Sequence, residues 1–247
     1  MKMKSLLPWL ICGVLSTVLV LDHLGTSKEN TPPHDKPDCT YLAEEASGAQ
    51  QSPINIKTAS IGTTKGHQWH VNYKKSHEKI VNTGHTIRLD YDSGSVLEYD
   101  EQLFRLRQFH FHTPSEHLID GVTYPMEAHF VHTAINNDTT YLVVGILFKE
   151  GMENQFLKKF ITQIPSNEGQ QEIWSDFVNA EEVIKESEHY YCYDGSLTTP
   201  PYSETVKWFV MQNIQEASEL QIEKINLLEG NNARHIQKIN DRFVEGI

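Results

Sequence analysis

The chain is poor in cysteine and poor in positive charge. Of its three cysteines, Cys12 falls within an apolar N-terminal run, which leaves only Cys39 and Cys192. A disulfide-dense scaffold is therefore excluded, and at most one bridge can form in the body of the chain. Lys and Arg number 21 against 33 Asp and Glu, for a net charge of −12. Phosphate contacts need clustered cations, so this balance excludes nucleic acid as a partner and serves solubility instead. No internal repeat and no low-complexity tract is present, which excludes repeat arrays. A long membrane-spanning run is lacking too. The apolar stretch from Leu6 to Leu21 holds 16 residues, just short of the roughly 18 to 20 that span a bilayer.

That stretch follows Lys2 and Lys4, and residues 1–25 therefore read as a signal peptide or an uncleaved signal anchor. Gly25 is small enough to end a leader, whereas His23 fits a cleavage site badly. Either way the body is exported, periplasmic or secreted, with membrane anchoring through residues 6–21 as the alternative to release. Residues 26–38, with Pro32, Pro33 and Pro37, read as a flexible linker. Residues 39–247 suit a single domain.

Within that domain, β-branched and aromatic runs punctuated by Gly, Pro and Asn predict strands over Ile54–Ile61, Ile80–Tyr91, Ser95–Tyr99, Phe104–Thr113, Met126–Ile135, Tyr141–Lys149, His189–Tyr193 and Glu204–Met211. Two helices interrupt them. Phe156, Leu157, Phe160, Ile161 and Ile164 recur at helical spacing ahead of Pro165. Ser218 and Gln221 form a capping box for a second helix that Gly230 terminates. The fold class is mainly β with peripheral helices.

Three imidazoles carry the chemistry. In the extended run Gln108-Phe-His-Phe-His112, His110 and His112 share one face while Phe109 and Phe111 take the other. His129 can join them from a neighbouring strand, giving three neutral nitrogen ligands and one open position, as a catalytic zinc requires. A lone His-x-His also suits a packed or surface pair. Gln108 and Glu127 favour the metal, because each stands near a ligand and can accept its second ring N–H. His117 and His132 read as buried hydrogen-bonding residues, and His67, His70 and His77 as surface groups.

The chain resembles the α-class carbonic anhydrases. The resemblance rests on Gln51-Ser-Pro-Ile-Asn-Ile56, Asn82-Thr-Gly-His85, Gln108 to His117, Glu127-Ala-His-Phe-Val-His132, Val143 to Gly145, Gly195-Ser-Leu-Thr-Thr-Pro-Pro201 and Asn232-Ala-Arg234, in that order. It implies a central twisted, mostly antiparallel sheet of about ten strands, with Zn2+ at the base of a cleft. The implied activity is reversible hydration of carbon dioxide to bicarbonate and a proton, a lyase reaction. A dication held by neutral imidazoles keeps its full charge and brings the pKa of a bound water to about 7; carbonic anhydrase is the standard example of this effect.

By resemblance, Thr198 orients the nucleophile and donates its hydroxyl hydrogen bond to Glu116, while His85 shuttles protons to solvent, a task suited to a side chain that titrates near neutrality. Gln108, Glu127 and Asn232 support the ligands. Val131, Val143, Leu197, Val206 and Trp208 form the wall beside the substrate, and Thr199 contacts bicarbonate or water. Exported relatives often tether their N-terminal segment by a disulfide to the loop after the paired prolines; Tyr202 occupies that position here, and Cys192, ten residues earlier, is taken as the relocated partner of Cys39. The state is a monomer or homodimer. Residues 39–50 depart from the family pattern, as do His235, Lys238 and Asp241.

Two other classes compete. His110-x-His112 with Glu116 mimics the first metal motif of a cupin oxygenase or isomerase, but the glycines and proline of such motifs are misplaced. A silent binding module on the same fold usually follows loss of a ligand, and none is lost.

Overall fold

Alternation of apolar and polar side chains shapes most of this chain into strands. The computed structural model describes residues 48–63, 67–185 and 189–246. The leader, the linker and Cys39 lie outside the described residues.

Among the described residues the strands are β1 Asn55–Ile56, β2 Gly62–Thr63, β3 Trp69–Asn72, β4 Ser76–Asn82, β5 Ile87–Asp90, β6 Val96–Tyr99, β7 Gln102–His112, β8 Leu118–Ile119, β9 Val122–Thr123, β10 Met126–Ala134, β11 Asn137–Glu150, β12 Gln171–Val178, β13 Tyr190–Gly195, β14 Val206–Met211, β15 Gln215–Ala217 and β16 Glu245–Gly246. The α-helices are α1 Gln155–Lys158 and α2 Glu219–Glu229. Thirteen strands form one sheet, whose main path of ten runs β12-β4-β5-β7-β10-β11-β14-β13-β16-β2. Pairing is antiparallel except where β11 meets β14 and β15 and where β16 meets β2. The sheet is therefore mixed.

The centre of the sheet is covered on both faces. On one side Phe109 stacks on Phe130 at 4.9 Å and meets Phe156 at 5.4 Å and Phe160 at 5.8 Å, all within the larger apolar cluster. These rings bury large areas and pack edge to face or offset. On the other side Ile54, Ile56, Val143, Leu147, Val206 and Trp208 form a second cluster. The site lies on that second side.

Several elements differ from the sequence reading. The run Ile80–Tyr91 is a hairpin of β4 and β5, because Thr83 N–H reaches back to Thr86 O at 3.0 Å and Gly84 takes φ +82. Ile54–Ile61 is strand only at β1; Thr58–Ser60 form a 3-10 turn. The first helix is one α turn, capped by the Asn154 side chain, followed by a 3-10 turn at Ile161–Gln163. The second helix begins at the expected capping box and ends at Gly230.

Candidate metal centre and active site

Strands β7 and β10 pair antiparallel in a register that sets His110 opposite His129, His112 opposite Glu127 and Gln108 opposite Val131. Directly paired residues share a face. Two cross-strand pairs on one face thus collect the three imidazoles without help from any loop. Each offers one ring nitrogen, and these nitrogens lie within 4.8 Å of one another.

The neighbours decide which nitrogen is left over. Gln108 Oε1 accepts from His110 Nδ1–H at 3.0 Å, and Glu127 Oε1 accepts from His129 Nε2–H at 2.9 Å. The opposite nitrogen of each ring keeps its lone pair for a cation. Both ring nitrogens of His112 are buried without a hydrogen-bond partner. Burial, followed by the neighbouring imidazoles, holds His110 well below the ordinary histidine range. Burial likewise lowers His112. On His129 burial acts in the same direction, but the Glu127 carboxylate outweighs it and raises the ring.

Glu127 also lies near His117, and with His129 these residues make a second trio of metal-binding side chains. Hydrogen bonding accounts for that trio. Glu127 Oε1 accepts from His117 Nδ1–H at 2.7 Å as well as from His129, and Oε2 accepts the backbone N–H groups of Glu116 and His117 at 2.9 and 2.8 Å. Burial would raise this carboxyl, yet His117 and His129 hold it well below the usual range. Saturated in this way, it supports a ligand rather than serving as one. The orphaned nitrogens of His112, with two imidazoles of fixed tautomer and no free carboxylate among the donors, fit zinc.

Beside the triad, Glu116 is buried; its Oε1 accepts the Arg234 backbone N–H at 2.9 Å and its Oε2 has no partner. Oε1 also lies 3.6 Å from His112 Nδ1. Thr198 is buried at the end of the segment after β13, and no hydrogen bond from it satisfies Glu116 Oε2. The carboxylate therefore holds an open acceptor of the kind expected for that hydroxyl. Thr199 is exposed. His85 is exposed in the β4–β5 turn, with its carbonyl accepting from Asn232 Nδ2 at 2.8 Å. Asn232 also accepts Thr113 N–H and donates to Phe111 O, tying this turn to the end of β7.

Val131, Val143, Leu197, Val206 and Trp208 do meet, in the second apolar cluster, with Val131 paired to Val143 and Val143 to Trp208 across three strands. Trp208 further stands edge-on to His129 at 4.8 Å and donates its indole N–H to Ser196 O. Val131, next to Phe130 in sequence and paired with Gln108, lies on the face of the three histidines. His117 and His132 are buried and hydrogen bonded, to Tyr193 at 2.6 Å and to Tyr73 at 2.8 Å. His70 and His77 are exposed and His67 is half-buried against Asp100.

Arg234 and Gly145 were not foreseen as supports. Arg234 is buried, donates to Ser52 O at 2.6 Å and Gln51 Oε1 at 3.0 Å, and lies over the Tyr202 ring. Its presence in a matched segment was the only signal. Cys192 is buried on β13 and lines a surface cleft of about 370 Å³ with Ala49 and Gln50.

Residues 35–246 match the family profile described as eukaryotic-type carbonic anhydrase. A carbonic anhydrase of Neisseria gonorrhoeae is 37% identical over 218 residues, covering 85% of this chain and 84% of that protein. Among solved structures, the α-carbonic anhydrase of Thermovibrio ammonificans in complex with sulfanilamide superposes with a TM-score of 0.76 at 39% identity, covering 80% of this chain and 87% of the other. Dioscorin complexed with ascorbate is similar as well, at a TM-score of 0.75 and 28% identity over 81% of this chain and 86% of that one.

Proposed function

The chain belongs to the eukaryotic-type, α-class carbonic anhydrases and is an enzyme of that family, and from this premise we propose that it hydrates carbon dioxide reversibly at a zinc ion held by His110, His112 and His129. Bound there, zinc supplies a Lewis acid that makes water nucleophilic near neutral pH. The observation that carries this reading is the row of three imidazoles with bare, inward nitrogens, one of them orphaned in a buried position.

The chain's own residues do the rest. Gln108 and Glu127 hold two ligand rings in one tautomer each. Glu116 keeps an acceptor open for the Thr198 hydroxyl, which then can only accept from the nucleophile, and this orients it toward the substrate. Val131, Val143, Leu197, Val206 and Trp208 offer carbon dioxide an apolar seat, and Thr199 meets bicarbonate or water at the exposed rim. His85, exposed in the β4–β5 turn, takes up the released proton and hands it to buffer.

The N-terminal pattern supports export, as a periplasmic or secreted enzyme or one anchored through residues 6–21. Cys192 is a free, buried thiol among the described residues, and its bridge to Cys39, which lies outside them, rests on the resemblance alone. Stopped-flow carbon dioxide hydration by zinc-loaded protein, with and without a zinc-binding sulfonamide, tests the function. Sulfonamide-sensitive hydration is expected; its absence would overturn the reading.

A further inference from the structure

Glu78 on β4 is fully buried, and neither of its carboxylate oxygens has a hydrogen-bond partner. Buried carboxylates are ordinarily paired or hydrogen bonded, since ionisation away from water is costly. Ser76, Ile80 and Asn82, its neighbours by alternation, are buried too, so Glu78 points to the same side as Ile80, a member of the aromatic core. It belongs to neither the metal site nor its supports.

Its position along the strand is equally particular. β12 is an edge strand of the sheet and, among the described residues, pairs only with β4. Lys79 faces Ile173 and His77 faces Phe177, while the register breaks between them. Glu78 therefore stands where one residue of β4 is opposed by three of β12, Trp174, Ser175 and Asp176. Backbone pairing is weakest at this break. All three of those residues are exposed.

We propose that Glu78 is a proton-operated latch for the edge strand: its neutral carboxyl leaves β12 docked on β4, and its ionised form loosens that pairing.

The surrounding charges favour the neutral form. Asp176 on β12 repels a charge on Glu78, and Lys159, just past α1, opposes that repulsion from a distance. Lys159 is itself paired to Glu182 at 2.5 Å. Asp176 has a single weak contact, 3.5 Å from Gln163 Nε2. His77 and Lys79 each pair with Asp92 and, as the neighbours of Glu78 on β4, point to the opposite side. Burial first, then Asp176, pushes the Glu78 carboxyl up to about 7 from an ordinary 4.5. A carboxyl raised in the docked state binds its proton more tightly there than when released. Docking is thus strongest at acid pH and weakens as pH climbs through the interval between those two values. For such a pair of values, linkage gives about a tenfold loss of docking equilibrium between pH 6 and pH 8.

Amide hydrogen exchange of the zinc-loaded protein, corrected for the intrinsic pH dependence of exchange, reads this directly. Protection of the β12 amides should fall about tenfold from pH 6 to pH 8 while β10 amides stay constant. Glu78→Gln should keep β12 protected at both values. Asp176→Asn, at an exposed position that folding tolerates, should move the midpoint of the loss to lower pH. Protection of β12 that does not change with pH in the wild type, or an unmoved midpoint in Asp176→Asn, would overturn the proposal.

Discussion

Gly145 faces His129 across the β10–β11 ladder, and a Cβ built there would meet Glu127 Oε1 at 2.8 Å. The missing side chain is what lets the carboxylate lie against two imidazoles at once. Gly145→Ala should displace Glu127, and because supports of this kind are worth 10- to 100-fold in metal affinity, zinc should be held about tenfold more weakly in a chelator competition. Affinity equal to wild type would mean that Glu127 shifts without loosening His129. His85→Ala belongs to the same scale. An exposed imidazole in a turn contributes little packing, so stability should stay within about 0.5 kcal/mol while maximal turnover in weak buffer falls, and added imidazole should restore part of it. Unchanged turnover would remove His85 from proton transfer. The common face of His110, His112 and His129 was legible in the sequence because strand alternation fixes it. The hold of Arg234 N–H on Glu116 was not, since a backbone donor leaves no trace in residue type.

The elements that frame the site divide by how clearly their sequence speaks. α2 announces itself: Ser218 caps it and Gln221 closes the box, and Gln221 also exchanges hydrogen bonds with the Asn154 backbone at 2.8 and 2.9 Å, fastening α2 to the cap of α1. Ser218→Ala should therefore cost about 1 kcal/mol in denaturant unfolding, with activity retained. Loss of less than about 0.3 kcal/mol would show the cap to be redundant with the Gln221 contacts. β12 gave no strand signal, because nearly all its side chains are exposed and nothing alternates. β3 lies in a run of mixed polarity, and its pairing with β6 supplies what the pattern omits. On the hairpin of β4 and β5, Lys79 and then the His77 N–H hold Asp92 well below the usual carboxylate range. A depressed carboxyl adds stability above its ordinary pKa and loses it as pH falls below about 4. Asp92→Asn should thus cost at most about 1 kcal/mol at pH 7, since the pair is a third exposed, and the difference from wild type should shrink in acid.

At the scale of the molecule, the proposed metal site and the main core occupy opposite faces of the same strands. Phe109, Phe111 and Phe130 anchor one face with the helical segments, and the three ligand histidines project from the other, beside the smaller cluster around Trp208. The class and the ten-strand path followed from composition and resemblance, whereas the order of the strands depends on long-range register that no local pattern encodes. On the proposed reading, this layout separates what zinc would stabilise from what folds the chain. The aromatic core needs no ion, and the imidazole row is already set by β7–β10 pairing, so removing zinc should leave the sheet intact. A ligand that binds only the native state nevertheless adds stability in proportion to the logarithm of its concentration over its dissociation constant, about 4 kcal/mol at a thousandfold excess. Chelation should therefore lower Tm by several degrees, with far-UV circular dichroism unchanged below the transition, and stoichiometric zinc should restore it. Collapse of the β signal on chelation at room temperature would show instead that the imidazole row is assembled by the ion, and that pairing of β7 with β10 does not suffice to place it.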